Sequence, residues 1–353
     1  MLKLEYTSYT LDFRFQAKTS RGSMNDRKVW FLKVSDENGN YGIGEVAPIE
    51  RLSPESPVDI PEELDRVMSN IVDVSKPGSQ TEVWEIANEL APKGFSSIRF
   101  GLEVALFDLL HGGSKMIFAQ DLHKVRIPIN GLVWMGDADF MEEQIKEKLN
   151  QGYNCIKLKV GNLDFETEIG IIKNLRKLSD DLVIRLDANG AFATNEVLMK
   201  LKKLSSYNIH SIEQPILPMQ PEAMEIVCAK SEIPIALDEE LIWVTEESER
   251  LQLLQDLKPQ YVVLKPTLHG GFSSIKNWID LAEIQGVGWW ITSYLESNIG
   301  LNAIAQFASL YENIEFHGLG TGNLFHNNIV SPIQIEDGFF KYAKSSTWGD
   351  VGL

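Results

Sequence analysis

The chain has 353 residues, 44% hydrophobic and 24% charged, which is the balance of a folded protein of one or two domains and excludes a disordered, collagenous or coiled-coil chain. Its 50 acidic residues against 33 Lys and Arg leave a net charge of −17, which a nucleic acid or an anionic membrane would repel. Two cysteines cannot build a disulfide framework, no apolar run approaches ~18 residues and the N-terminus has no signal-type apolar core, so a cytoplasmic protein with neither a nucleic-acid nor a membrane partner is expected.

Residues 3 to 16 alternate like a strand, and Lys28 to Val34 make a second. Asp36 to Asn40 (DENGN) reads as a hairpin turn, because Asn-Gly suits positive φ, and Tyr41 to Val46 returns as a third strand. Pro61 opens an amphipathic helix at its first turn, and Ser96 to Leu110 reads as a helix apolar on one side. Three strands followed by helices make a small α+β domain.

From Ile127 onward, short β-branched runs alternate with helical stretches. The runs cover 127–133, 155–160, 182–188, 209–214, 233–238, 261–265, 288–293 and 314–318. That alternation predicts an α/β fold with a parallel (β/α) barrel. A doubly wound open sheet would want a Gly-rich phosphate turn after its first strand, and none is present. The tail from Ser331 to Leu353 is strand-like and aromatic and is expected to fold back onto the N-terminal domain. The chain thus divides into a capping domain, residues 1–124 completed by 329–353, and a barrel, residues 125–328.

Charged residues end successive runs: Lys157 and Lys159, then Asp187 and Asn189, Glu213, Asp238 and Glu239, and Lys265. From Lys159 to Lys265 the steps are 28, 26, 25 and 27 residues, one βα unit each. Active sites of such barrels are built at the C-terminal ends of the strands. Asp187, Glu213 and Asp238 are three hard oxygen donors that would repel one another without a cation, and they suit one Mg²⁺, with Mn²⁺ able to substitute, better than zinc. The six histidines have no paired spacing. Lysines beside such an ion point to a neutral amine acting as base, since a cationic neighbour lowers a lysine pKa. Removal of a proton next to a metal-clamped carboxylate follows, with a small anionic carboxylate as substrate. A lone strand-end acid is ordinarily a helix cap or a solvated charge and a strand lysine an edge residue, but six such acids and lysines on five successive strands at one period are not. Glu239 divides evenly between a partner behind the metal ligands and a loop charge, and Asn189 between the site and the turn in DANG.

These residues resemble the enolase superfamily, in particular its muconate-lactonizing-enzyme subgroup. The likeness spans nearly the whole chain and rests on Gly42 to Pro48 (GIGEVAP), Lys157-Leu158-Lys159, Asp187 to Gly190, Ile212 to Pro215, Leu237 to Glu239 and Leu264 to Pro266. It implies a (β/α)7β barrel of the TIM type under an α+β cap. Within the subgroup, Ile127 to Trp134, Thr292 to Gly300 and Gly318 to Gly322 are most similar to members that dehydrate 2-succinyl-6-hydroxy-2,4-cyclohexadiene-1-carboxylate to 2-succinylbenzoate in menaquinone biosynthesis. By that resemblance Lys159 removes the proton alpha to the carboxylate and then protonates the departing hydroxide. Lys265 stabilises the enediolate from the opposite face, Lys157 supports the carboxylate, and Ser293 with the turn at Gly320 holds the succinyl arm. The segment Lys18 to Arg27 falls where the subgroup has a closing loop. The chain departs from the common pattern at Glu240, where a Ser is usual.

The same two lysines would serve an N-acylamino acid racemase, a cycloisomerase or a dipeptide epimerase. The epimerases usually carry Asp-x-Asp after the last strand, where this chain has His317-Gly318-Leu319-Gly320. A Schiff-base enzyme would not need three convergent carboxylates. A barrel that has lost activity and only binds would not be expected to keep all three, with both lysines. Composition leaves the oligomeric state open.

Overall fold

A computed structural model of the protein describes residues 1–19, 22–118, 121–311, 314–344 and 347–353. It opens with an antiparallel sheet of β1 (Lys3–Thr19), β2 (Gly22–Ser35) and β3 (Tyr41–Val46). The turn between β2 and β3 is closed by the Asp36 carboxylate, which accepts from the amides of Asn38 and Asn40, while Gly39 takes φ 82°. The expected loop from Lys18 to Arg27 is instead mostly strand, although Ser20 and Arg21 lie outside the described residues. Pairing runs from Lys3↔Ser35 to Asp12↔Asp26 and resumes at Ala17↔Met24, so residues 13–16 of β1 face a single residue of β2. Such a bulge bends the strand and re-aims its side chains.

Helices α1 (Ile60–Asn70), α2 (Gln80–Leu90) and α3 (Ser96–Leu110) follow, with Pro61 in the first turn of α1. Helix α3 is buried on nearly every side, not along one stripe as its pattern suggested. β3 covers one flank, and Phe100 meets Phe272 of a later helix, ring centroids 5.3 Å apart, on another. Gly42 and Gly44 permit this approach: a Cβ on Gly44 would lie 2.0 Å from the carbonyl oxygen of Gly101.

The run 127–133 divides. β4 (Arg126–Pro128) joins a separate antiparallel sheet, and β5 (Gly131–Val133) begins the parallel one. Then come α4 (Ala138–Asn150), β6 (Cys155–Lys159), α5 (Phe165–Leu178), β7 (Val183–Asp187), α6 (Val197–Leu204), β8 (Ser211–Glu213) and α7 (Pro221–Lys230). β9 (Ile235–Leu237), α8 (Glu247–Leu257), β10 (Tyr261–Leu264), α9 (Gly271–Ile284), β11 (Gly288–Ile291) and α10 (Asn298–Ala308) complete the alternation. Strands β5 to β11 pair in chain order, all parallel. Asp137, Asp164 and Ser297 cap α4, α5 and α10 through their side-chain oxygens.

The eighth predicted run is not an extended strand. Only His317 and Gly318 bridge, His317 to Ile129 beside β5 and Gly318 to Thr292 beside β11, both parallel. The seven-stranded parallel sheet is curled, and this two-residue segment bridges residues next to both of its edge strands. β12 (Ile333–Glu336) pairs with β13 (Phe339–Tyr342), which pairs with β4, while Val351 packs with Leu11, Phe13 and Phe325. Among the described residues no helix is long and apolar enough to cross a membrane. Cys155 and Cys228 are buried free thiols, both pushed up to about 12 by burial.

Candidate active site

Register brings the charged strand ends together. Lys159 pairs with Asp187, and Asp187 with Glu213, so three side chains of adjacent parallel strands project to one side. Lys157 lies two residues earlier on the same face. Asp238 and Lys265 follow the last residues of β9 and β10. All ten residues singled out in the sequence, Lys157, Lys159, Asp187, Asn189, Glu213, Asp238, Glu239, Lys265, Ser293 and Gly320, line one cavity of about 740 Å³.

Asp187, Glu213 and Asp238 are no more than 2% exposed. Lys157 Nζ donates to Glu213 Oε2 at 2.6 Å and lies 2.9 Å from Asp187 Oδ2. Lys159 Nζ donates to Asp187 Oδ2 and to Asn189 Oδ1, both at 2.6 Å. Lys265 pairs with Asp238. Asn189 holds φ 44°, and its amide nitrogen donates to Glu239 Oε1 at 2.9 Å, so it ties the Lys159 amine to Glu239. Both Asn189 and Glu239 line the cavity. Ser293 shares a 2.7 Å hydrogen bond with Thr321, and Gly320 forms wall. Glu240 points away, accepting from the backbone of Met219.

Electrostatics show surplus negative charge. Burial, then Asp187, pushes Glu213 up to about 8, and burial, then Asp238, pushes Glu239 up to about 7. Burial would raise Asp187 as well, but Lys157 and Lys159 outweigh it and hold that carboxyl below its usual range. Lys265 does the same for Asp238. Lys157 and Lys265 are raised, not lowered. Burial would lower Lys157 and Lys265, yet Asp187 and Glu213 lift the first and Asp238 and Glu213 the second above the ordinary lysine range. A neutral amine requires a cation that takes up the carboxylate charge.

Among the described residues no three acidic, histidine or cysteine groups are drawn around one point, and lysine amines bond one oxygen each of Asp187, Glu213 and Asp238. The donor set nonetheless fits a hard divalent ion. Asp238 Oδ1 and Glu239 Oε2 are buried without a hydrogen-bond partner, and such orphaned oxygens are costly unless a ligand satisfies them.

Several contributors were not singled out in the sequence. Arg14, Phe15, Ile49 and Leu52 reach the cavity from the N-terminal sheet and its following loop, and Trp134 and Tyr294 line it from the ends of the β5 and β11 runs. Buried Arg27 donates to the carbonyls of Ala47 and Tyr294, clamping N-terminal segment to sheet. Nothing in the segment Lys18 to Arg27 distinguishes Arg27 from its charged neighbours. His269 and His317 accept from the amides of Lys265 and Ile291, and burial pushes both down to about 3. They are neutral struts, not metal ligands.

Comparison with known proteins places this geometry. The model of the family described as Enolase C-terminal domain-like matches residues 140–346. The o-succinylbenzoate synthase of Desulfotalea psychrophila is 41% identical, over 96% of this chain and 98% of its own. The crystal structure of MenC from Desulfotalea psychrophila LSv54 superposes with a TM-score of 0.86 at 39% identity, covering 96% of this chain and 99% of that one. A muconate lactonizing enzyme from Pseudomonas fluorescens, complexed with muconolactone, gives a TM-score of 0.85 over 96% and 93% of the two chains. At 20% identity that likeness is one of fold.

Proposed function

Because the chain belongs to the o-succinylbenzoate synthase family of the enolase superfamily, we propose that Lys159 is the base and the acid of a syn dehydration of 2-succinyl-6-hydroxy-2,4-cyclohexadiene-1-carboxylate to 2-succinylbenzoate. The observation that carries this reading is the shared register of Lys159, Asp187 and Glu213, with Lys265 on the far side of the same cavity.

Asp187, Glu213 and Asp238 would hold one divalent ion, Mg²⁺ or in its place Mn²⁺, which when bound neutralises the substrate carboxylate beside the departing proton. Lys159, held by Asn189 and Asp187, takes the alpha proton at Nζ. The C–H bond breaks, an enediolate forms, and its electrons expel the ring hydroxyl as the C–O bond breaks. The same ammonium returns its proton to that hydroxide, so water leaves and the ring becomes aromatic. Lys265 stays charged on the opposite face, 6.0 Å over the Tyr294 ring, and stabilises the enediolate. Lys157, bonded to Glu213 and Asp187, keeps a positive charge against the carboxylate end and favours the neutral form of Lys159. Ser293 and Gly320 bound the space for the succinyl arm.

This reading takes the two-sided bridging by His317 and Gly318 as the closure of a (β/α)7β barrel over residues 125–328. Residues 1–124, completed by 329–353, form the cap, whose Arg14, Phe15, Ile49 and Leu52 keep water from the mouth. A small anionic carboxylate is the partner and the cytoplasm the compartment, which suits two buried free thiols and a net charge of −17.

Ultraviolet absorbance of the cyclohexadiene substrate tests the proposal: turnover with Mg²⁺ that stops with chelator supports it, and no turnover by metal-loaded protein overturns it. Lys159 and Lys265 pair with different carboxylates, which also suits a racemase with a base on each face. Alpha-proton exchange of N-succinylamino acids in deuterium oxide would reveal that activity.

A further inference from the structure

A dicarboxylate substrate brings a second negative charge into a chain that already carries −17, and the reaction centre engages only the first. Five cations line the cavity: Arg14, Lys148, Lys157, Lys159 and Lys265. The last three are bonded to Asp187, Glu213, Asn189 and Asp238. Lys148 donates to Gln151 at 3.3 Å, lies 5.4 Å over the Tyr153 ring and has Glu147 as its chain neighbour. The other arm contacts, Ser293 and Gly320, are neutral.

Arg14 differs. It lies in the four-residue bulge of β1, which leaves the β1–β2 ladder between Asp12 and Ala17. The bulge is pinned to the segment after Gly320: Phe13 bridges to Phe325, with ring centroids 4.6 Å apart, and the Arg14 amide donates to Leu324 at 2.9 Å. Phe15 stacks edge-on against Trp134 at 5.3 Å. The Arg14 guanidinium is anchored at one atom, Nε, which donates to the Phe325 carbonyl at 3.0 Å. Its two terminal nitrogens have no partner among the described residues. An arginine fixed at Nε with its outer nitrogens free presents a planar fork that matches a carboxylate.

We propose that Arg14, re-aimed by the β1 bulge onto the mouth of the cavity, is the counter-ion for the distal carboxylate of the substrate's arm and so a specificity-determining residue. The inference rests on the proposed dehydration, because that reaction defines the arm. It assigns to the bulge a purpose that packing alone does not require, and it predicts discrimination between arms of equal length that differ only in terminal charge.

Calorimetric titration of the Mg²⁺-loaded full chain with 2-succinylbenzoate, and with 2-butyrylbenzoate whose arm ends in methyl, tests it. Arg14→Gln should weaken 2-succinylbenzoate about tenfold or more and leave 2-butyrylbenzoate unchanged, as expected for loss of a hydrogen bond between charged groups. Arg14→Lys should fall between wild type and Arg14→Gln, and it carries the test alone if Arg14→Gln melts early. Lys148→Gln, which removes a charge from the same cavity, should alter neither ligand. Equal affinity of wild type and Arg14→Gln for 2-succinylbenzoate, equal loss of both ligands in the folded variant, or the selective loss appearing in Lys148→Gln instead would overturn the proposal. Wild-type protein that binds neither ligand would bring down the dehydration reading, and this inference with it.

Discussion

Lys159 stands opposite Asp187 in the register of two neighbouring parallel strands, and its amine reaches both that carboxylate and the Asn189 carbonyl at 2.6 Å. A base held from two sides has one direction left for its lone pair once a proton is lost. In the proposed dehydration that constraint, more than the presence of a lysine, would aim the base at the substrate.

Asn189 can be removed without touching the three carboxylates proposed to hold the metal. Its φ of 44° makes glycine the strain-free replacement. Asn189→Gly should lower kcat about tenfold, the worth of a hydrogen bond to a charged group, with an unchanged melting temperature. A loss in KM alone would place Asn189 at the substrate and not at the base.

Divalent ions should stabilise the fold measurably. Three buried carboxylates carry surplus charge, so Mg²⁺ bound only by the native state should raise the melting temperature in proportion to the logarithm of its concentration. Asp238→Asn should abolish most of that increment. An equal Mg²⁺ response in the variant would show that the ion binds elsewhere.

How much of this was legible in the sequence differs between site and frame. The spacing of Lys159, Asp187, Glu213, Asp238 and Lys265 is a one-dimensional record of a repeating βα unit, and each residue was read from it and found on the cavity wall. Periodicity could not show where a strand changes sheets: Ile127 to Val133 reads as one run, yet β4 pairs with β13 and β5 with β6. Nor could it show the bulge in β1, because a register jump leaves the alternation of Phe13, Phe15 and Ala17 intact. The run Ile314 to Gly318 looks like its seven predecessors, but only two of its residues bridge neighbours.

Gly42 and Gly44 of β3 belong to the GIGEVAP motif, and the structure supplies their reason. Gly44→Ala would place a methyl group 2.0 Å from the Gly101 carbonyl oxygen, a backbone atom that cannot rotate away. The expected cost is about 3 kcal/mol, at the upper end of overpacking penalties, read from the urea midpoint. An unchanged midpoint would mean that α3 slides on β3.

Acid stability should depend on His317. Its unfolded value of 6.5 falls to about 3 in the buried native site, so below pH 6.5 the unfolded chain binds a proton that the native protein refuses. The contribution is complete above pH 6.5 and is lost as pH falls toward 3, at no more than about 1.4 kcal/mol per pH unit. Urea midpoints at pH 7, 6 and 5 should therefore decline less steeply in His317→Asn. Parallel slopes in the two proteins would contradict the assignment.

The assignment of the base is tested most directly by Lys159→Ala, loaded with Mg²⁺, in stopped-flow dehydration of the cyclohexadiene substrate beside calorimetric binding of 2-succinylbenzoate. The predicted result is a rate lower by about a thousandfold, within the range for loss of a general acid–base group, with product affinity within about twofold of wild type. Undiminished dehydration in that variant would contradict the account and move the proton transfer to another residue.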